Sequence, residues 1–335
     1  MGETNEQVNP RTFIPVGDNT LESFRYERPR SFIKVSGSDV RGYEDPITQY
    51  NSYQQLREYL HMPRVRLLHR PEGLPPLLVV KRSEGERFDK ALVDKPKEST
   101  ASAMRFAGDL RKMWQATEQP MEEDKLVVNL RQATIDTLEA VLANEKLSQF
   151  MDLPMNVNGI TYPSLRELCT ASLERLKEAK PDPVMVLGHG DEHMKNLLIV
   201  TNNNGQADYQ IIDPRLAGYY SPAYAINTFV GTPLLFMFSY QCKQETGGSW
   251  NITYKLNEEY LQAQDVLMEC GRIMVNNLKA LNQDEFLLKE YLFGNLLRSA
   301  IDRVNPKNTR LTRPNIPAHI GMAAELYTNF DRTRL

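Results

Sequence analysis

The residues best suited to chemistry lie in one stretch, HGDEHMKN at 189–196, with a further acid, Asp213, beyond it. Asp191 and Asn196 stand five positions apart, a spacing that lets one loop carry a carboxylate for a hydroxyl proton and an amide oxygen for a metal ion. Two apolar, β-prone runs follow, NLLIV and ADYQIID, on either side of Asn204-Gly205, the dipeptide preferred in a two-residue type I′ turn. That turn predicts a hairpin in which Asn196 faces Asp213 with Cα atoms about 4.5 to 5.5 Å apart. An amide oxygen and a carboxylate are hard ligands that suit Mg²⁺ when phosphate oxygens and water complete its octahedron. The chemistry predicted is phosphoryl transfer, in which metal and lysine hold the transferred group and Asp191 orients the attacking hydroxyl.

A different chemistry competes on the same residues. His189, Asp191 and His193 form an H-x-D-x-H cluster whose alternate side chains share one face of a strand, an arrangement open to zinc and hydrolysis. Such a centre needs further ligands, and the remaining histidines, His61, His69 and His319, form no metal-like pair. Both readings stand at this point, with phosphoryl transfer preferred.

The elements that must position these groups are legible from pattern. Ser164 and Glu167 form a capping box at the head of a helix predicted over 164–180, with Leu165, Leu168, Leu173 and Leu176 as its stripe and Pro181 as its stop. Up to about residue 82 the apolar runs are short and closely punctuated: FIPV, LESFRYE, SFIKV, VRLL and LLVV read as strands. One helix interrupts them at 50–60, where Tyr53, Leu56 and Leu60 keep a buried spacing. Beyond the charged stretch at 81–90 the pattern turns mainly helical, with helices predicted from Val127 to Leu142, around 256–280 and at 284–303. An α+β chain of two lobes follows, 1–82 and 83–335, with a cleft between them.

Composition sets the outer bounds. The 335 residues carry 40 basic and 43 acidic side chains, so no general electrostatic pull toward nucleic acid or an anionic membrane is expected. No apolar run approaches the roughly 20 residues of a spanning helix, and MGETNEQVNP lacks an apolar signal core, which predicts a cytoplasmic chain with no membrane partner.

With these residues in view, the chain resembles the aminoglycoside phosphotransferase and choline kinase family of small-molecule kinases. HGDEHMKN followed by the Asp of IIDP carries the likeness, with His193 where protein kinases usually have Lys. The resemblance implies a bilobal protein-kinase-like fold and an ATP-dependent phosphotransferase acting on an alcohol group. It implies Asp191 as the catalytic residue, Asn196 and Asp213 as Mg²⁺ ligands, and a nucleotide site in the first lobe. There GDNT, ending at Thr20, matches the flap, and Lys34 in SFIKV matches the phosphate lysine, with Lys81 its rival. Glu44, or Glu58, matches the helix acid beside that lysine, and Val80 to Ser83 the backbone that meets adenine.

The chain also departs from the family pattern. After Asp213 it reads YYSPAYAIN, with Ser221 and Ala225 where the family commonly has two supporting carboxylates. A pseudokinase that binds nucleotide without turnover is therefore an alternative, opposed by the presence of Asp191, Asn196 and Asp213 together. The acceptor expected is a small hydroxylated molecule. Glu245, Glu258, Glu259 and Asp265, near Trp250, Tyr254 and Tyr260, add an amine to that expectation.

Overall fold

The computed structural model describes residues 14–15, 23–28, 31–36, 45–69, 71, 76–81, 83–234, 238–244, 249–279, 281, 285–304 and 316–329. The first part is an antiparallel sheet with one helix. Its strands are β1 (Ile14–Pro15), β2 (Ser23–Arg28), β3 (Ser31–Ser36), β4 (Val65–Leu68) and β5 (Leu77–Lys81), in the order β1-β2-β3-β5-β4. Helix α1 (Pro46–Leu56) packs on this sheet, burying Tyr53 against Val65 and Leu78. It begins four residues before the predicted start because Asp45 caps it, accepting hydrogen bonds from the Ile47 and Thr48 N–H groups, and because Pro46 fits the first turn, where no N–H is needed.

The second part begins with β6 (Glu86–Arg87), α2 (Phe88–Asp94) and the long α3 (Pro96–Thr117). The stripe Phe106, Leu110, Met113 and Trp114 of α3 is fully buried, at roughly 1.5–3 kcal/mol for each large apolar side chain removed from water. Next come β7 (Gln119–Pro120), β8 (Leu126–Val128), α4 (Leu130–Leu142), α5 (Ser148–Met151), β9 (Met155–Val157), β10 (Ile160–Tyr162) and α6 (Leu165–Glu178). The predicted capping box of α6 is present in both halves. Val127, expected in a helix, instead lies in β8, because this segment pairs in parallel with a strand almost a hundred residues later, a long-range choice that periodicity does not report.

The chemistry-bearing segment runs through β11 (Val184–Gly188), β12 (Leu197–Thr201), β13 (Ala207–Ile211) and β14 (Gly218–Tyr220) into α7 (Pro222–Leu234). A hairpin of β15 (Phe238–Gln244) and β16 (Trp250–Leu256) follows, then α8 (Gln264–Lys279), α9 (Glu285–Val304) and α10 (Ile316–Asn329). Strands order as β7-β11-β14-β8, β13-β12-β6 and β10-β9-β16-β15 in three further sheets, around which α3, α4, α7, α8, α9 and α10 pack. Among the described residues no helix is long and apolar enough to cross a membrane.

The hairpin differs from the predicted register by one residue. Leu197 pairs with Ile211 and Thr201 with Ala207, so the loop between the strands is longer than two residues. The Asn202 side chain accepts from the N–H groups of Asn204 and Gln206, Asn202 N–H donates to Gln206 O, and Gly205 takes φ +75°. This is a three-residue loop with glycine in the left-handed position, the next most favoured hairpin connection after the two-residue turns. Asn196 consequently lies opposite Ile212, whose N–H donates to Asn196 O at 2.9 Å, and Asp213 falls one step past the ladder.

Candidate active site

Strand β11 is buried and delivers the loop His189–Gly190–Asp191–Glu192 to the end of its sheet. Gly190 turns the chain at φ +80°, and a Cβ there would run into Tyr220 Oη and come within 3.0 Å of Leu216 O. Only glycine meets both demands. The turn is closed by Glu192, 1% exposed, whose Oε1 accepts the His189 N–H at 2.7 Å. Burial pushes the Glu192 carboxyl up to about 7. His189 is itself fully buried, and desolvation takes its imidazole down to about 4, which keeps it neutral against the nearby charges of Asp191 and Asp213. Its carbonyl accepts the Arg215 N–H, joining this loop to the segment after β13.

Asp191 and Asn196 are in direct contact. Asn196 Nδ2 donates to both Asp191 O and Asp191 Oδ2 at 3.0 Å. His193 Nε2 lies 3.4 Å from the same carboxylate oxygen, while His193 Nδ1 accepts the Lys195 N–H, so the ring proton sits on Nε2 and points at Asp191. Burial acts to raise the Asp191 carboxyl, but the hydrogen bond and charge of His193, helped by the Asn196 amide, outweigh it and hold the group below the usual carboxylate range. Its side chain keeps 36% of its surface exposed, so an ionised, oriented carboxylate faces outward.

The same contacts argue against the zinc reading. Both nitrogens of His193 are engaged, His189 is sealed in the core, and among the described residues no group of three or more His, Cys, Asp or Glu is placed to hold a metal.

Asp213 follows β13 in a left-handed conformation, φ +54°, uncommon for a residue with a side chain. It is held from the other part of the chain: its N–H donates to Tyr53 Oη at 3.0 Å, and Ala217 N–H donates to Ser52 Oγ at 3.0 Å. Helix α1 thus grips the segment 213–217 at both ends. Because the Asn196 nitrogen is engaged with Asp191, its Oδ1 is the atom left for a cation. That oxygen and the Asp213 carboxylate are both hard donors, the type that Mg²⁺ takes together with phosphate and water.

The remaining predicted residues fall variously. Thr20 and Glu44 lie outside the described residues. Lys34 is mid-strand in β3, opposite Arg25 of β2 and Leu78 of β5. Val80 is inside the sheet, opposite Phe32 and Val65, so the chain leaves the sheet only after Lys81. Glu58 is exposed and beyond the end of α1. Ser221 is buried and caps α7, its Oγ accepting the Ala223 N–H. With Ser221 and Ala225 in place of the two supporting carboxylates of the family pattern, two tyrosines brace the loop: Tyr220 Oη donates to Leu216 O at 2.7 Å and Tyr224 Oη to Gly190 O at 3.4 Å.

Beside these tyrosines opens a cavity of about 430 Å³ between β8, α4, α7 and α9. Tyr220 and Tyr224 line it, together with Asn227, Asn295, Arg215 and Arg298, four residues that no sequence pattern singles out. Of the acids behind the amine expectation, Glu245 lies outside the described residues, while Glu258, Glu259 and Asp265 belong to the 3-10 turn before α8 and the start of α8, and none of these three lines this cavity.

The ecdysteroid kinase-like family model matches residues 100–236 of the chain, the span holding Asp191, Asn196 and Asp213. Among solved structures, a choline/ethanolamine kinase family protein from Mesorhizobium loti aligns with a TM-score of 0.52 and 14% identity, covering 96% of this chain and 90% of that one. Choline kinase LicA from Streptococcus pneumoniae aligns with a TM-score of 0.51 and 9% identity, covering 94% and 92%. Aminoglycoside phosphotransferase APH(2'')-Ib aligns with a TM-score of 0.49 and 14% identity, over 94% and 93%. No curated protein matches significantly by sequence. The chain has the α+β, bilobal protein-kinase-like fold, and its likeness is to small-molecule kinases.

Proposed function

We propose that the protein transfers the γ-phosphoryl group of ATP to a hydroxyl of a small organic acceptor. The observation that carries this reading is the Asp191 carboxylate, ionised and outward-facing, tied by its Oδ2 to Asn196 Nδ2 and approached by His193 Nε2, with the Asn196 oxygen left beside the Asp213 segment. In the transfer, the acceptor oxygen forms a bond to phosphorus as the bond to the β-phosphate oxygen breaks, and ADP leaves. The hydroxyl proton passes to Asp191, whose hydrogen bonds fix its direction. Mg²⁺, held by Asn196 Oδ1 and Asp213, would supply neutralising charge to the phosphate oxygens. Glu192 and Gly190 keep the loop in shape, and Tyr53 and Ser52 hold the Asp213 segment to α1.

By resemblance, Lys34 meets the phosphates, Thr20 closes the flap, Glu44 orients Lys34, and the backbone from Val80 to Ser83 borders adenine. Residues 1–82 form the nucleotide lobe and 83–335 the acceptor lobe. The test is ADP release over a panel of hydroxylated compounds with and without Mg²⁺. Release that needs Mg²⁺ and an acceptor, and that disappears in Asp191→Asn, is expected. Release that survives Asp191→Asn, or none across the panel, goes against the proposal.

A further inference from the structure

We propose that the cavity beside the catalytic loop binds the acceptor through an oxyanion on it, so that the substrate is a hydroxylated organic acid or sulfo compound with a flat apolar body. This rests on the phosphotransfer reading for the identity of the site, but its own argument is the chemistry of the walls.

The cavity touches the catalytic loop at Tyr224, whose hydroxyl reaches Gly190 O. Tyr224 thus stands between the cavity and the backbone of the loop that carries Asp191, itself not a wall residue. At about 430 Å³ it falls within the range of roughly 300–1,000 Å³ that small-ligand pockets occupy. Among the described residues its charged lining is all of one sign: Arg215, from the segment after β13, and Arg298, on the exposed side of α9, with no Asp, Glu or Lys on the wall. The two arginines line the cavity from different elements, and the charge of each acts on the Tyr224 phenol. Two acids lie behind the wall: Glu192, 1% exposed, is turned to the His189 backbone, and Asp182, 7% exposed, accepts from the hydroxyl of the wall residue Tyr291. An ammonium group would meet like charge here, whereas a planar oxyanion matches the guanidinium fork of Arg298.

One further feature describes the body of the molecule. Tyr220 and Tyr224 stack at 4.9 Å, and Val127, Val128 and Leu216 line the same space, which suits a flat apolar skeleton.

The test uses the full chain and four probes on one para-hydroxymethylphenyl scaffold, bearing a carboxylate, a sulfonate, a carboxamide or an aminomethyl group, with binding read by saturation-transfer NMR. The expected result is that one or both anionic probes bind at least about tenfold tighter than the aminomethyl probe. Arg298→Gln should bring that ratio to within about threefold, and Arg298→Lys should keep most of it. The stronger of the two anionic arms identifies the oxyanion. Equal or stronger binding of the aminomethyl probe, an anion preference unmoved by Arg298→Gln, or no binding by any probe would overturn the inference. Calorimetric titration with Mg·ATP on the same sample separates the two claims. Nucleotide binding with the wrong charge order sinks the acceptor class alone, while the expected charge order without nucleotide binding sinks the phosphotransfer reading alone.

Discussion

Replacing Glu192 by Gln should change how stability depends on pH, by an amount the structure fixes. The carboxyl is 1% exposed, accepts the His189 N–H through Oε1, and has no hydrogen-bond partner on Oε2. Burial raises it from 4.5 to about 7. The folded chain then holds this proton more tightly than the unfolded chain, so between pH 4.5 and about 7 the unfolded state loses its proton first. Stability falls across that window and levels off above it. At about 1.4 kcal/mol per pH unit, the group removes roughly 3 kcal/mol between the two ends. Gln keeps an acceptor for the His189 N–H and cannot ionise, so the variant lacks this slope. Urea unfolding of both proteins at pH 5 and pH 8 should show Glu192→Gln gaining about 2–3 kcal/mol relative to wild type at the higher pH. A difference that stays flat across that range would refute the assignment of Glu192 as a buried, largely protonated acid bracing the loop.

Other perturbations probe neighbouring contacts. Asp191→Asn should lower kcat by about 10²–10⁴ while leaving the Kd for Mg·ATP within about threefold, by rapid-quench and calorimetry, because the carboxylate acts on the acceptor proton. Tyr53→Phe leaves the Asp213 N–H without its partner, at about 1–3 kcal/mol; KM for Mg·ATP should rise more than KM for the acceptor, and equal rises would contradict the link between α1 and the metal-side aspartate. Gly190→Ala adds about 1–2 kcal/mol of left-handed strain and pushes Tyr220 from Leu216 O, and Tyr220→Phe in the same chain should restore part of the lost stability in a double-mutant cycle.

Features governed by adjacent residues were legible in the sequence. The Ser164–Glu167 capping box needs only four consecutive residues, and it forms as read. The loop joining Asp191 to Asn196 was legible for the same reason, since its hydrogen bonds span five positions. The hairpin existed where expected, yet its register moved by one because NNNG offers more than one turn, and the Asn202 side chain selects the three-residue loop. That slip removed the predicted pairing of Asn196 with Asp213; what adjoins them is the Ile212 N–H to Asn196 O bond and the left-handed turn at Asp213. The start of α1 was misread because its first turn is built from Asp45 and Pro46, which carry no apolar period. Glu192, Asn227 and the two arginines gave no local signal, since their roles arise from contacts among β11, α7, the segment after β13 and α9, far apart in sequence.

The central claim is that Asn196 and Asp213 bring a metal to a nucleotide beside Asp191. Calorimetric titration of ATP into the wild-type chain and into Asp213→Ala, each with Mg²⁺ and with EDTA, addresses it most directly. The account predicts that Mg²⁺ tightens ATP binding by about tenfold or more in the wild type, and that Asp213→Ala loses this gain while remaining folded by circular dichroism. Binding of ATP that is absent in the wild type, or that responds to Mg²⁺ equally in both proteins, would contradict it.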